Sequence, residues 1–326
     1  MLKVSTAPHF YSNIDTAHIM RDVIIALLPA GLAAIILLGL NALITIVTSV
    51  AGCVALEYIC CRWWLKIKPT TGDFSAIVTG LLLAYNLPCN MPIWMNLIGC
   101  FAAIVITKIA FGGIGKNLFN PALVGRVFLF ISFPVQMTSW VKPKLWDFFN
   151  TDVSTSATTL GILKHTDPSE LDKIYQLLPS WSDMFIGNIG GSMGEVSALA
   201  LLLGLFWLLY RRVISWHIPF YYVTTFCVLN FGFWLYTGNI IFEPTTQLLS
   251  GGLFLGAFFM ATDYTTSPMS IKGKIIFAIG CGILTFVIRQ YSSYPEGVSF
   301  AILIMNACVP LIDKTVKPRI FGTGRK

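Results

Sequence analysis

Two groups of residues in this 326-residue chain have the types and spacing to do chemistry. The first is the run Asp152-Val153-Ser154-Thr155-Ser156-Ala157-Thr158-Thr159-Leu160, which sets five hydroxyls behind one carboxylate in a long polar stretch. The order Asp, two free positions, Ser or Thr, a small residue, Ala, Thr arises by chance about 0.01 times in a chain of this length. A threonine hydroxyl in that setting could carry a group in ester linkage. The same residues also read as a helix start, because Ser, Thr and Asp are good N-caps and Leu160 to Leu163 is largely apolar. The second group is a set of charges in or beside apolar runs: Glu57, Asp73, Asp263, Arg126, Arg289 and Glu296. Each central Asp, Lys or Arg in a bilayer costs about 2.5–3.5 kcal/mol, so each needs a reason. Glu57, Asp73 and Asp263 are the candidates for an ion path, while Asp73 or Asp263 can equally cap a helix end.

The elements that must position these residues are membrane helices. A chain that is 56% hydrophobic, 11% charged and +0.74 in mean hydropathy cannot hide its apolar surface in one soluble core. Apolar runs of about 20 residues predict helices near 22–41, 42–61, 93–111, 119–135, 194–211, 217–237, 272–290 and 297–312. Two shorter runs broken by glycine, about 74–88 and 248–263, bring the expected count to ten. The net charge of +7 does not form a basic stripe, which argues against nucleic acid; it falls in clusters at the ends of the runs. Lys3 and Arg21, Arg62 with Lys66 and Lys68, Lys108 and Lys116, Arg211 and Arg212, Lys272 and Lys274, and the tail from Lys314 all fall on one side. Both termini are therefore expected in the cytoplasm, and the loop 136–192 outside it. No cleavable signal peptide is expected, because a polar stretch precedes the first apolar run. The eight cysteines lie in or beside apolar segments without C-x-x-C spacing and read as buried thiols; a cluster ligand pair from Cys60 and Cys61 would need another subunit to complete it.

The halves rhyme. Thr79-Gly80 through Ala84, a proline break, Lys108 and Asn120-Pro121-Ala122 are echoed by Gly256 through Ala261, Ser267-Pro268, Arg289 and Asn306-Ala307. Five helices per copy is an odd number, so the second copy inserts upside down. Such folds place their functional path between the copies, lined by discontinuous helices. The expected division is a five-helix repeat over 1–135, a loop over 136–192, a second repeat over 193–313 and a basic tail over 314–326.

With the loop motif, the run Gly112-Gly113-Ile114-Gly115-Lys116-Asn117-Leu118-Phe119-Asn120-Pro121-Ala122 and the run Gly256-Ala257-Phe258-Phe259-Met260-Ala261-Thr262-Asp263, the chain resembles the RnfD/NqrB family of membrane subunits. The resemblance runs from Ala7-Pro8-His9 to Leu311-Ile312-Asp313. It implies an all-α polytopic protein of ten transmembrane helices in two inverted repeats, urea-transporter-like, in the cell inner membrane. It also implies FMN joined by a phosphoester to Thr158, with Asp152, Thr155, Ser156 and Ala157 forming the motif that a flavin transferase reads. Ser156 stands where the family usually has Gly. The family further implies partners in the other Rnf subunits (A, B, C, E and G) and electron relay from ferredoxin to NAD coupled to Na+ or H+ translocation. A second, non-covalent riboflavin is associated with it, and no motif here locates that flavin.

A small-solute channel without a redox role is the rival that an inverted repeat alone permits, and a scaffold that only anchors flavin-bearing partners is a third; the loop motif discriminates among them. No phosphate-binding Gly-rich loop after a strand, nucleophile triad or metal-ligand cluster is legible, so Gly112-Gly113-Ile114-Gly115 reads as a tight turn.

Overall fold

The computed structural model describes residues 15–67, 69–143, 158–165, 178–195, 197–292, 294 and 296–317. Its regular elements are helical, with no β-strand among the described residues. In the first half α1 spans Thr16–Leu38 and α2 spans Leu40–Ile59, the latter ending in a π-helical turn over Cys60–Trp64. The half continues with α3 (Ser75–Tyr85), α4 (Ile93–Phe101, prolonged as a π-helix over Ala102–Ile109) and α5 (Pro121–Ser132). Three short helices follow: α6 (Pro134–Met137), α7 (Thr159–His165) and α8 (Trp181–Ile186). The second half holds α9 (Ala198–Tyr210), α10 (His217–Thr237), α11 (Pro244–Leu249), α12 (Leu253–Leu255, prolonged as a π-helix over Gly256–Met260), α13 (Ile271–Tyr291) and α14 (Val298–Thr315).

Five of these are long and apolar enough to cross a bilayer: α1, α2 with its π turn, α10, α13 and α14. The protein is a multi-pass membrane protein. In each half two elements precede a broken third one, as the glycines of 74–88 and 248–263 predict. The first boundary differs from the sequence expectation. Helix α1 starts at Thr16, and the chain turns at Gly39, whose φ of 72° is easy only for glycine, so α1 ends three residues before the expected 41 and α2 with its π turn runs over 40–64 in place of 42–61. The last rhyme of the halves is not positional either: Asn120 caps α5, whereas Asn306 lies inside α14.

Helices in lipid are held by close packing of small residues, since no hydrophobic gain separates helix from lipid. A Cβ on Gly80 of α3 would meet Val50 Cα of α2 at 2.8 Å, and one on Gly204 of α9 would collide with the Ala26 carbonyl of α1. These two contacts tie the broken third helix to α2 and the second half to the first. All eight cysteines are free thiols, six of them buried.

Candidate functional site: a docked loop helix over converging half-helices

Thr158 opens α7. Its Oγ1 accepts the Gly161 amide at 3.0 Å and its carbonyl accepts the Ile162 amide at 2.9 Å, so the hydroxyl is the N-cap. A Cβ on Gly161 would lie 3.1 Å from that Oγ1, so glycine there leaves the oxygen room for a substituent. Asp152, Thr155, Ser156 and Ala157 lie outside the described residues.

Two residues dock α7 on the second half. Lys164 Nζ donates to the carbonyls of Arg289 (3.2 Å), Tyr294 (2.9 Å) and Ser292, which lie at and beyond the C-terminal turn of α13. A cation there meets unpaired carbonyls and the negative end of the helix dipole. Partial burial pushes the Lys164 ammonium below its ordinary pKa. Leu160 is buried and packs at Gly251, whose φ of 69° turns the chain between α11 and α12; a Cβ there would meet Leu160 Cδ1 at 2.7 Å and Arg289 Nη2 at 2.9 Å.

Below α7 lies a buried charge cluster. Arg126 of α5 donates to Asn86 Oδ1 at the end of α3 (2.8 Å), to Ser299 Oγ of α14 (3.0 Å) and to Glu296, and it faces Glu195 Oε1 at 3.7 Å. Arg289 of α13 donates to the Gln247 carbonyl (2.7 Å) and the Ser250 carbonyl (3.1 Å) and lies over the Phe226 ring at 4.9 Å. The N-terminal approach to α9 is fixed to the broken α3 by Gly194 N donating to the Tyr85 carbonyl at 2.7 Å. The ends of α3, α9, α12 and α14 thus meet around Arg126. Glu195 is absent from the set of charges singled out in the sequence. It sits in Gly190-Gly191-Ser192-Met193-Gly194-Glu195, and the glycines were its only signal.

A second cluster lies at the opposite end. Lys108, in the π-helical end of α4, donates to Glu57 Oε2 (2.7 Å) and Ser75 Oγ (2.6 Å), while Thr70 Oγ1 donates to Glu57 Oε1 (2.5 Å). Glu57 is 1% exposed and Lys108 3%. Asp73 accepts the amide and hydroxyl of Ser75, the first residue of α3, the amide at 2.9 Å; Asp263 accepts from the Thr265 and Thr266 hydroxyls beyond α12. Glu57 and Asp73 are linked through Ser75 and Lys108, whereas Asp263 stands apart, across a cleft of about 100 Å³. That cleft is walled by Val78, Leu82 and Phe259 and edged by Asn117, Asn120 and Asp263. Three glycines at positive φ, 112, 113 and 115, make the turn ahead of Asn117, as the spacing predicts.

The NQR2, RnfD, RnfE family profile matches residues 3–322. The chain belongs to this family. It is 46% identical over 323 residues to the D subunit of the Na(+)-translocating ferredoxin:NAD(+) oxidoreductase complex of Acetobacterium woodii, covering 98% of this chain and 95% of that one. It is 43% identical to the D subunit of the proton-translocating ferredoxin:NAD(+) oxidoreductase complex of Clostridium ljungdahlii (99% and 96% covered). It is 38% identical to the D subunit of the ion-translocating oxidoreductase complex of Halorhodospira halophila (100% and 97% covered). Family membership thus agrees with the resemblance read from the motifs.

Proposed function

We propose that this protein is the flavin-carrying membrane subunit of an ion-translocating ferredoxin:NAD oxidoreductase complex, working with the other Rnf subunits. Thr158 Oγ1 carries FMN through a phosphoester after a flavin transferase has read Asp152, Thr155, Ser156 and Ala157. The observation that carries this reading is the coincidence of the motif's acceptor with an N-cap hydroxyl beside Gly161, on a helix fastened over the charge cluster. Bound flavin supplies one- and two-electron chemistry, and the protein tunes it by surroundings. The chain's own residues hold the arm: Lys164 and Leu160 seat α7, and Arg289 and Arg126 beneath it place positive charge near an electron carrier.

The cleft at the opposite end suits the second, non-covalent flavin. Its apolar walls fit a planar ring, and the Asn117 and Asn120 amides and Asp263 offer donors and acceptors to a ring edge. The two five-helix halves are inverted copies, with both termini in the cytoplasm and the flavin loop outside the inner membrane. Moving one charge against 100 mV costs about 2.3 kcal/mol, which a two-electron drop of roughly 50 mV supplies. Glu57, Asp73 and Asp263 are the carboxylates of the ion path for Na+ or H+ at the cytoplasmic end.

The test is ultraviolet fluorescence of the denatured, gel-separated protein made beside the flavin transferase. A fluorescent wild-type band absent from Thr158→Ala supports the reading. A dark wild-type band, with transferase activity verified on a control substrate, refutes covalent flavin here.

A further inference from the structure

The cluster beneath α7 leaves one carboxylate with a long ion pair and an oxygen that no donor reaches. Arg126 lies between two, and its Nη2 is bonded to Glu296, whereas Glu195 Oε1 stands 3.7 Å away, beyond hydrogen-bond reach. That oxygen has no donor among the described residues, and the other, Oε2, receives only a long contact of 3.4 Å from the Ser192 amide. Glu195 is 7% exposed. Arg289 Nε also has no partner among the described residues, and the nearest hydroxyl to Glu195 is that of Ser192, fully buried three residues earlier. An ionised carboxylate in this setting has lost its water and gained too little in return. It lowers its energy by taking on a cation.

Glu57, the buried carboxylate of the other cluster, has no such open oxygen, because Lys108 holds one at 2.7 Å and Thr70 the other. The described charged groups around Glu195 are Arg126 on α5, Arg289 on α13 and Glu296 ahead of α14; Asn86, Ser192, Gln247 and Ser299 are the polar side chains of the cluster. Two cations and two carboxylates balance, yet Arg289 is engaged by carbonyls, so Arg126 alone serves both acids.

We infer that Glu195 is a cation-loading carboxylate, which takes up H+ or Na+ while Arg126 pairs with Glu296 and releases it when the guanidinium swings across to Glu195. The swing is short, since both acids already lie within 4 Å of the same nitrogen. The site would sit on the flavin-loop side, at the far end of the path from Glu57 and Asp263. It deepens the ion-translocating reading and does not need flavin at Thr158.

The experiment is infrared difference spectroscopy on the purified complex, stepping pH with and without NaCl. A protonated-carboxyl band that disappears as pH rises and is missing from Glu195→Gln is expected. If added Na+ removes the band at constant pH the cation is Na+, and if Na+ leaves it unchanged the cation is H+; either supports the site. Glu296→Gln, which frees Arg126 for Glu195, should also lose the band. Spectra of Glu195→Gln identical to wild type at every pH and salt overturn the inference, and where that variant does not fold, a Glu296→Gln spectrum identical to wild type overturns it. Thr158→Ala should keep the band while losing fluorescence, so the flavin reading fails or stands separately. Absence of an ion gradient in vesicles of the wild-type complex during electron flow would sink the translocation reading while leaving the band to report on Glu195.

Discussion

The Glu57–Lys108 pair gives the most direct test of whether a buried ion pair here serves folding or ion movement. Lys108→Met strands a carboxylate that is 1% exposed and keeps only the Thr70 hydroxyl. Breaking a buried pair from one side costs about 3–5 kcal/mol, or roughly two to four orders of magnitude in the folded-to-unfolded ratio at about 1.4 kcal/mol per tenfold. Glu57→Gln alone should cost a similar amount, because the buried ammonium then keeps only neutral acceptors, Ser75 Oγ among them, and no counter-charge. The double variant Glu57→Gln/Lys108→Met removes both charges, keeps an amide oxygen at position 57 to accept from Thr70, and takes from Ser75 Oγ, which still donates to Asp73, only the Lys108 donor, at about 1 kcal/mol. It should therefore be more stable than either single variant. Unfolding of the detergent-solubilised protein by added SDS, followed by tryptophan fluorescence, measures all four corners of this cycle. A double variant that loses as much as the two singles together would refute the reasoning, since it would mean that the pair does not interact. The stable double variant then decides the role of Glu57 in transport. Retained translocation removes Glu57 from the ion path; loss of translocation with electron transfer intact keeps it there.

Other outcomes follow from single contacts. Gly204→Val should fail to accumulate in membranes, because its side chain meets the Ala26 carbonyl, whereas Gly232→Ala, with nothing within 4 Å of the added atom, should express as wild type. Gly161→Val crowds Thr158 Oγ1 and should lower the fluorescent yield of the gel band several-fold, while Ser156→Gly should raise it. Lys164→Met removes a donor from three carbonyls and should speed proteolysis within 136–192 without abolishing flavin attachment, read by timed digestion and gel fluorescence. Hydrogen bonds from Ser180 and Asn188 hold the Asp183 carboxyl below its ordinary pKa, so their contribution is present at neutral pH and lost as pH falls below the usual carboxylate range. Ser180→Ala should remove that acid sensitivity from cleavage near α8.

The membrane class, the broken third elements and most helix positions were legible because a bilayer imposes a length and an apolar content on each span, and both are read directly from sequence. Helix α10 was predicted at 217–237 and is found there. The glycine turn before Asn117 was legible for a similar reason, since three glycines at that spacing serve a backbone that other residues strain to adopt. Pairing was not legible. That Lys108 reaches Glu57 depends on the π-helical end of α4, and nothing in the composition of 102–109 announces that geometry. Glu195 stands at the very start of the apolar run 194–211 and so resembles an interfacial charge in sequence, whereas the turn at Gly194 folds it inward against α3. The N-cap role of Thr158 was one of two readings open in sequence, and the two are compatible, since the capping oxygen is the one that the motif marks.

The two charge clusters explain each other when the halves of the chain are compared. In each half a cation from near the end of the fourth helix, Lys108 or Arg289, meets the chain where the broken third helix begins. Helix starts carry partial positive charge, so a cation there is unfavourable unless an acid or free carbonyls accompany it. In the first half Glu57 provides the acid and bonds Lys108 directly, which closes the cluster. In the second half the carbonyls of Gln247 and Ser250 at the end of α11 take Arg289, and the acid beside Gly252, Glu195, is left facing Arg126 instead. A comparable arrangement is therefore locked in the first half and open in the second. Of Glu57 and Glu195, the one in the second half is the one with an oxygen free to exchange, and it lies on the side where α7 is fastened.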